Sequence, residues 1–554
     1  MSPTENKKTL QLRPLSSLAK VFPQKIFGKT TREAFAVPGQ ELSFQVAFRL
    51  LPEGKYKQQD RKIKIRSPLK DHIKLYTVGN VPSVLAAYPD RNDANYITTK
   101  SGVFPDPLFP IKNDTVSAAS YTWRAIWVSV KIPEDCPTGE YKTEICFTGA
   151  KNTSQKVSFR IKVFSAALPK QKLIFTQWFH CDCIADAHGV SIFSEEHWTL
   201  IERYMKLAAD HGMNTILTPI VTPPLDTAIG GERPTVQLVD IITVENGYAF
   251  DFERLERFVS IALSSGIRFF EINHMFTQWG AKMAPKVMIS TPEGEKRIFG
   301  WETDASSQEY ADFLAALIPA AISVFELMGI SRDRLLFHVS DEPKIEDIEA
   351  YKKAQNILFP LIEGCKHIEA LSALEFYTEG LVKSPVVATN RIEPYLEAEV
   401  KNLWCYYCCS QCVDVANRFF AMPSTRNRII GVQMYKYNIE GFLHWGYNFY
   451  YSHHSIRKID PYAVTDADEA FPSGDAFSVY PYGNDVIPSL RQKVFSNALE
   501  DMRLLSLLEE KIGHDAVVAL IERVAGMTVT FTEYPKDEGF FDRLYTEIFK
   551  ELKK

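Results

Sequence analysis

From Gln171 onward, short apolar runs alternate with helical stretches, and the alternation recurs eight times. The runs are 173–179, 215–219, 268–272, 335–339, 368–374, 386–389, 403–407 and 441–445. Between them lie amphipathic stretches: 195–211, with Leu200, Ile201, Tyr204, Met205 and Ala208 at helical spacing, then 252–265 and 309–328. Gly212, Gly266 and Gly329 each follow a helical stretch, where a left-handed C-cap is expected. Eight strand–helix units over about 290 residues predict an α/β fold, a (β/α)8 TIM barrel whose working face is the C-terminal strand ends. A doubly wound open sheet accommodates the same alternation.

Upstream, short alternating runs such as Gln40 to Phe48 and Lys156 to Val163 are punctuated by Pro/Gly turns such as Pro137-Thr138-Gly139. They predict an N-terminal β-sandwich domain. The expected organisation is an accessory sandwich over 1–168, a catalytic barrel over 169–465, and a C-terminal loop and helical extension over 466–554.

The fourth run ends in His338-Val339-Ser340-Asp341-Glu342-Pro343. Proline stops the strand, leaving two adjacent carboxylates where it ends. Mutual repulsion and a desolvating wall push the pKa values of such a pair apart, the condition for general acid catalysis on a glycosidic bond. A solvated strand-end turn is the plain alternative. On a regular strand adjacent side chains point to opposite faces, which suits a two-carboxylate glycosidase poorly.

The other strand ends add Trp178 and His180, His274 and Trp279, Tyr377, Trp404 and Tyr406, and Trp445, Tyr447 and Asn448. Four of the eight tryptophans fall in this set. Aromatic faces with hydroxyl-binding polar groups fit a carbohydrate pocket, while core packing is the bland reading of any one ring.

A net charge of −5 offers no long-range attraction to nucleic acid or an anionic membrane. No apolar run approaches the roughly 20 residues of a membrane span, so no spanning helix is expected. The first residues, Met1 to Lys8, lack the apolar core of a signal peptide, and the nine cysteines form no secretory framework, so a cytoplasmic, reduced protein is expected. Cys181/Cys183 and the Cys405–Cys412 cluster stand as an alternative zinc site, although their spacing is not a paired CxxC framework. His453-His454 is too short to count as a metal motif. No phosphate loop or Gly-x-Ser-x-Gly elbow is present, and no cofactor is expected.

The Asp341-Glu342-Pro343 strand end, the run Gly441-Phe442-Leu443-His444-Trp445-Gly446-Tyr447-Asn448, and Gly474-Asp475-Ala476-Phe477 with Tyr480-Pro481 and Ser489-Leu490-Arg491 together resemble glycoside hydrolase family 123 and the broader group sharing its catalytic domain (domain of unknown function 4091). The resemblance spans about Gln171 to Leu507, behind a β-sandwich. It implies a retaining β-N-acetylgalactosaminidase in which the substrate's 2-acetamido group is the nucleophile. Glu342 is then the general acid/base, Asp341 orients the acetamido group, and Asp475 joins the substrate-binding set. Two rivals stay open. One is a glycosidase for another sugar with a separate nucleophile such as Glu375 or Asp475. The other is a non-catalytic carbohydrate-binding protein on a degenerate barrel.

Overall fold

The computed structural model describes residues 10–51, 56–149, 154–245, 247–278 and 280–554. The chain forms two compact units, Met1–Gln171 with Cys412–Lys436 and Ile487–Lys554, and Lys172–Gln411 with Tyr437–Val486.

In the first unit, ten strands among the described residues form two five-stranded sheets. Alternation puts Phe44, Val46 and Phe48 of Glu41–Leu50 on the same face, and these join Phe147, Phe159 and Ile161 of the other sheet in one apolar core. Phe44 and Phe159 stack with centroids 4.0 Å apart. The helix Leu490–Ile512, N-capped by Ser489, is anchored within the same unit by a buried pair. Arg491 donates from Nε and Nη2 to the Asp106 carboxylate at 2.9 and 2.8 Å.

In the second unit, eight parallel strands among the described residues close a barrel. They are Ile174–Gln177, Thr215–Thr218, Phe269–Ile272, Leu335–Phe337, Lys366–Leu371, Ser384–Ala388, Trp404–Tyr406 and Gly441–His444. The ring shuts where Ile174 pairs with Gly441 and Gln177 with His444. Each expected run overlaps one strand, because strands covered on both faces must be apolar throughout. The helix Glu195–Asp210 is capped by Ser194, whose side chain accepts from His197 N. Gly266 closes Glu253–Ser265 in the left-handed conformation, with φ of 106°.

One expectation needs correcting. The helix Gln308–Leu327, 20 residues with a mean hydropathy of 1.6, is long and apolar enough to cross a membrane by length and composition alone. Half of it is buried inside the protein. Phe325 packs on Phe270 of the third barrel strand, and the Tyr310 hydroxyl donates to Met275 O. Tertiary packing against the barrel accounts for its apolar character.

Candidate active site

A cavity of about 170 Å³ opens at the C-terminal ends of the barrel strands. Trp178 follows the first strand, Asp226 the second, Gln278 the third, and Asp341 and Glu342 the fourth. Ala370 comes from the fifth strand, Tyr406, Cys408 and Cys409 from the seventh and its loop, and Leu443, Trp445, His453 and Phe471 from the eighth and beyond. A larger cavity of about 430 Å³ lies in the first unit, lined by Phe35, Phe44, Asn497 and Glu500 among others. The barrel cavity is the one that gathers tryptophans and unequal carboxylates, so chemistry rather than size selects it.

Asp341 and Glu342 both reach this cavity because the strand has already ended at Phe337. Glu342 has a φ of 46°, in the left-handed region. For a residue other than glycine that conformation costs about 1–3 kcal/mol and is concentrated at functional sites. The turn cancels the strand's alternation of faces. It is held by Glu342 N donating to Ala370 O at 3.1 Å.

The two acids have different surroundings. Burial, then repulsion from Glu342 and Glu369, lifts the Asp341 carboxyl well above the usual carboxylate range, against the pull of His338. Glu342 is exposed, and its Oε1 accepts a hydrogen bond from the Tyr406 hydroxyl. Burial also pushes Asp226 up to about 6, with Arg233 opposing.

Beneath the pair lies a buried charge network. His338 Nε2 is 2.8 Å from Glu271 Oε1, which also accepts from Trp178 Nε1 at 2.7 Å, while Thr176 donates to Glu271 Oε2 at 2.5 Å. Glu369 Oε2 accepts from Val339 N, Ser340 N and the Tyr351 hydroxyl at 2.9, 3.1 and 2.9 Å. Burial would push His338 down, yet hydrogen bonds to and the charges of Glu271 and Glu369 hold it at about 9. Burial raises Glu369 in turn, but His338 and His367 outweigh it and hold it at about 2. His274 stacks on His338 at 4.4 Å, and burial followed by that neighbouring charge drives its pKa well below the ordinary value.

Of the residues expected from sequence, Trp178, Asp341, Glu342, Tyr406 and Trp445 line the cavity. Trp279 lies outside the described residues. His274 and His338 are buried in the network just described. Asp475 is fully buried and orients Trp445, accepting from its Nε1 at 2.8 Å. Asn448 clamps the backbone of His180, with bonds of 2.9 Å to both its N and its O. His180 itself lines a separate small cleft with Arg233 and Asp182, where two hydrogen bonds of 2.8 and 2.7 Å join the last two. Tyr447 donates to Tyr204 O at 3.0 Å, Trp404 is packed over Gly441, and Tyr377 sits on the short helix Glu375–Thr378; none of the three lines the cavity.

Sequence reasoning passed over Asp226, Phe471, Glu271 and Glu369. A carboxylate between two apolar neighbours in a strand, Phe270 and Ile272 for one and Ile368 and Ala370 for the other, was the available signal for the last two, since fully buried acids are rare unless paired. The cysteine clusters divide: Cys181 lines the small cleft, Cys408 and Cys409 line the main cavity, and Cys412 falls in the first unit. Neither metal-compatible group of three donors among the described residues contains a cysteine.

An acidic, tryptophan-lined cavity at the strand ends of a closed parallel barrel is the arrangement of a glycoside hydrolase. The model of the glycoside hydrolase 123 catalytic domain matches residues 178–508, and the chain belongs to glycoside hydrolase family 123. Among solved structures, it is similar to a family 123 glycoside hydrolase from Clostridium perfringens, described for glycolipid glycan hydrolysis. The identity is 14%, the TM-score 0.72, and the match covers 98% of this chain and 97% of the other. That likeness is one of fold. A Bacteroides ovatus GH5 xyloglucanase shares 8% identity at a TM-score of 0.29, covering 84% of this chain and 98% of its own, too distant to bear on the fold. None of the curated proteins compared with the chain matches it.

Proposed function

We propose that this protein is a retaining exo-glycosidase that removes a terminal β-linked N-acetylhexosamine, N-acetylgalactosamine first, by substrate-assisted catalysis. The observation that carries the reading is that Asp341 and Glu342 share one cavity in unequal environments. Glu342, at the exposed edge and oriented by Tyr406, protonates the glycosidic oxygen as the bond to C1 breaks. The acetamido carbonyl oxygen attacks C1 from within the substrate. Asp341 accepts the acetamido N–H and offsets the positive charge of the oxazolinium-like intermediate. Water then attacks C1 and displaces the acetamido oxygen, giving its proton to Glu342, so that two inversions at C1 leave the configuration retained.

Glu375 and Asp475 find little support as a separate carboxylate nucleophile, since neither lines the cavity. The paired tryptophans Trp178 and Trp445 offer faces for the sugar's C–H surface. The substrate class extends to glycan chains of the kind named for the Clostridium perfringens relative. The nine free cysteines support our placement of the enzyme in a reducing, cytoplasmic setting.

The test is a screen of aryl glycosides including β-N-acetylgalactosaminide and β-N-acetylglucosaminide, with Glu342→Gln and Asp341→Asn as controls. Turnover should require the 2-acetamido group, and each substitution should lower kcat by about 10²–10⁴-fold. Near-full activity in Asp341→Asn would exclude the substrate-assisted route. A covalent glycosyl-enzyme on another carboxylate would establish the conventional one.

A further inference from the structure

The rim of the barrel cavity carries a donor set that the glycosidase reaction does not use. Asp226, His453 and His454 each present a ligand atom, and these atoms lie within 4.8 Å of one another. All three residues are partly exposed, and Asp226 and His453 line the cavity that holds Asp341 and Glu342. The set comes from two distant loops that the fold fastens together. Asp226 Oδ2 accepts from His454 N at 3.2 Å, Ser455 Oγ donates to Asp226 O at 2.7 Å, and Ala228 N donates to His454 O at 3.1 Å. The two imidazoles lie with ring centroids 3.7 Å apart, and Phe471 packs edge-on against His453 at 5.0 Å.

We propose that Asp226, His453 and His454 form a binding site for a first-row divalent transition metal of the zinc and cobalt class. Two imidazole nitrogens and one carboxylate select borderline metals over calcium or magnesium, which take all-oxygen shells. Metal–ligand bonds near 2.0–2.2 Å put tetrahedral donors roughly 3.3–3.6 Å apart, so the three side chains need close by at most about 1.5 Å. Torsions of partly exposed side chains on a fixed loop pair supply that movement. Three protein donors leave positions for water or a substrate hydroxyl, and two of the three side chains, Asp226 and His453, border the cavity. A cation there shares the cavity with the two carboxylates, so its binding competes with that of the sugar.

The assignment holds whichever sugar the cavity takes, and its primary test needs no turnover. Cobalt(II) titrated into the full-length protein should give visible d–d absorption saturating at one equivalent, and zinc should displace it. His453→Ala and Asp226→Asn should each weaken cobalt binding about tenfold or more, with thermal melting confirming that each variant is folded. The Cys408→Ser/Cys409→Ser double variant should bind as the parent does. Anomalous scattering at the zinc edge from zinc-soaked wild-type crystals should place the ion between the three side chains, a readout that requires no variant. Absence of the d–d band, parental affinity in both rim variants, or a thiolate charge-transfer band that vanishes in the cysteine variant would each overturn the site.

Discussion

His338 Nε2 and Glu271 Oε1 stand 2.8 Å apart with both side chains wholly out of solvent. On the ring's other side, Nδ1 is 3.9 Å from Glu369 Oε1. The imidazolium thus neutralises charge that two buried carboxylates would otherwise leave uncompensated, directly beneath Asp341.

Removing the ring should therefore cost more than an ordinary core change. His338→Gln is expected to destabilise the fold by about 3–5 kcal/mol, the penalty for breaking a buried ion pair from one side. The folded pKa of His338, about 9, lies above its ordinary 6.5, so its stabilising contribution is whole below pH 6.5 and is lost as pH rises through about 9. Glu369 runs the other way: held at about 2, it contributes fully above 4.5 and loses that contribution as pH falls toward 2. Urea unfolding across the alkaline window should show declining stability in the parent and a flatter profile in His338→Gln. Equal slopes would remove the charged ring from the account.

Asp341 shifts in the direction opposite to Glu369. Its carboxyl is raised well above the ordinary value by burial and by Glu342 and Glu369, so the ionised form is disfavoured in the fold and costs stability at neutral pH. Asp341→Asn should raise Tm by about 1–2 °C for each kcal/mol relieved, while activity collapses. The parent's activity should also fall on the acid side at a pH well above the usual carboxylate range, as Asp341 takes up its proton. A thermal melt and a kcat/KM pH profile check both expectations. A less stable Asp341→Asn would mean that its carboxylate is a structural anchor.

Tyr406 supplies the one side-chain hydrogen bond that fixes Glu342 at the cavity edge among the described residues. Tyr406→Phe keeps the ring and loses only the hydroxyl. Because a general acid must be aimed at the leaving oxygen, kcat should fall about tenfold or more with KM little changed. A change confined to KM would instead make Tyr406 a sugar-binding group.

The barrel was legible because strands covered on both faces leave an unbroken apolar signature, and eight of them recur in register with helices. The Asp341–Glu342 pair was visible as chemistry but not as geometry. The puzzle of adjacent acids facing opposite ways disappears only with the left-handed Glu342, and no residue type announced it. Periodicity also tells which face a side chain takes without telling its depth. Trp404 and Tyr406 share a face of the seventh strand, yet Tyr406 reaches the cavity while Trp404 lies a layer below it. Asp226, His453 and Phe471 come from long loops whose paths no local pattern encodes. His180, Tyr447 and Asn448 follow strand ends, but their hydrogen bonds stay inside the unit: Tyr447 and Asn448 donate to backbone oxygens, and His180 pairs with Trp445 O and the Arg233 guanidinium.

The depth of Trp404 explains the glycine that opens the eighth strand. Trp404 and Gly441 are register partners on neighbouring strands, and the indole lies across the glycine. A Cβ built on Gly441 would come within 2.1 Å of Trp404 Cδ2, far inside contact distance. The indole is fully buried and has nowhere to retreat. Gly441→Ala should thus destabilise the barrel by at least the roughly 1–3 kcal/mol typical of core overpacking, lowering Tm or the soluble yield. Pairing it with Trp404→Leu, which frees the space, should restore part of the loss, because residues in direct contact couple rather than add. A double variant whose Tm equals the sum of the single effects would show that the indole does not occupy the space over Gly441.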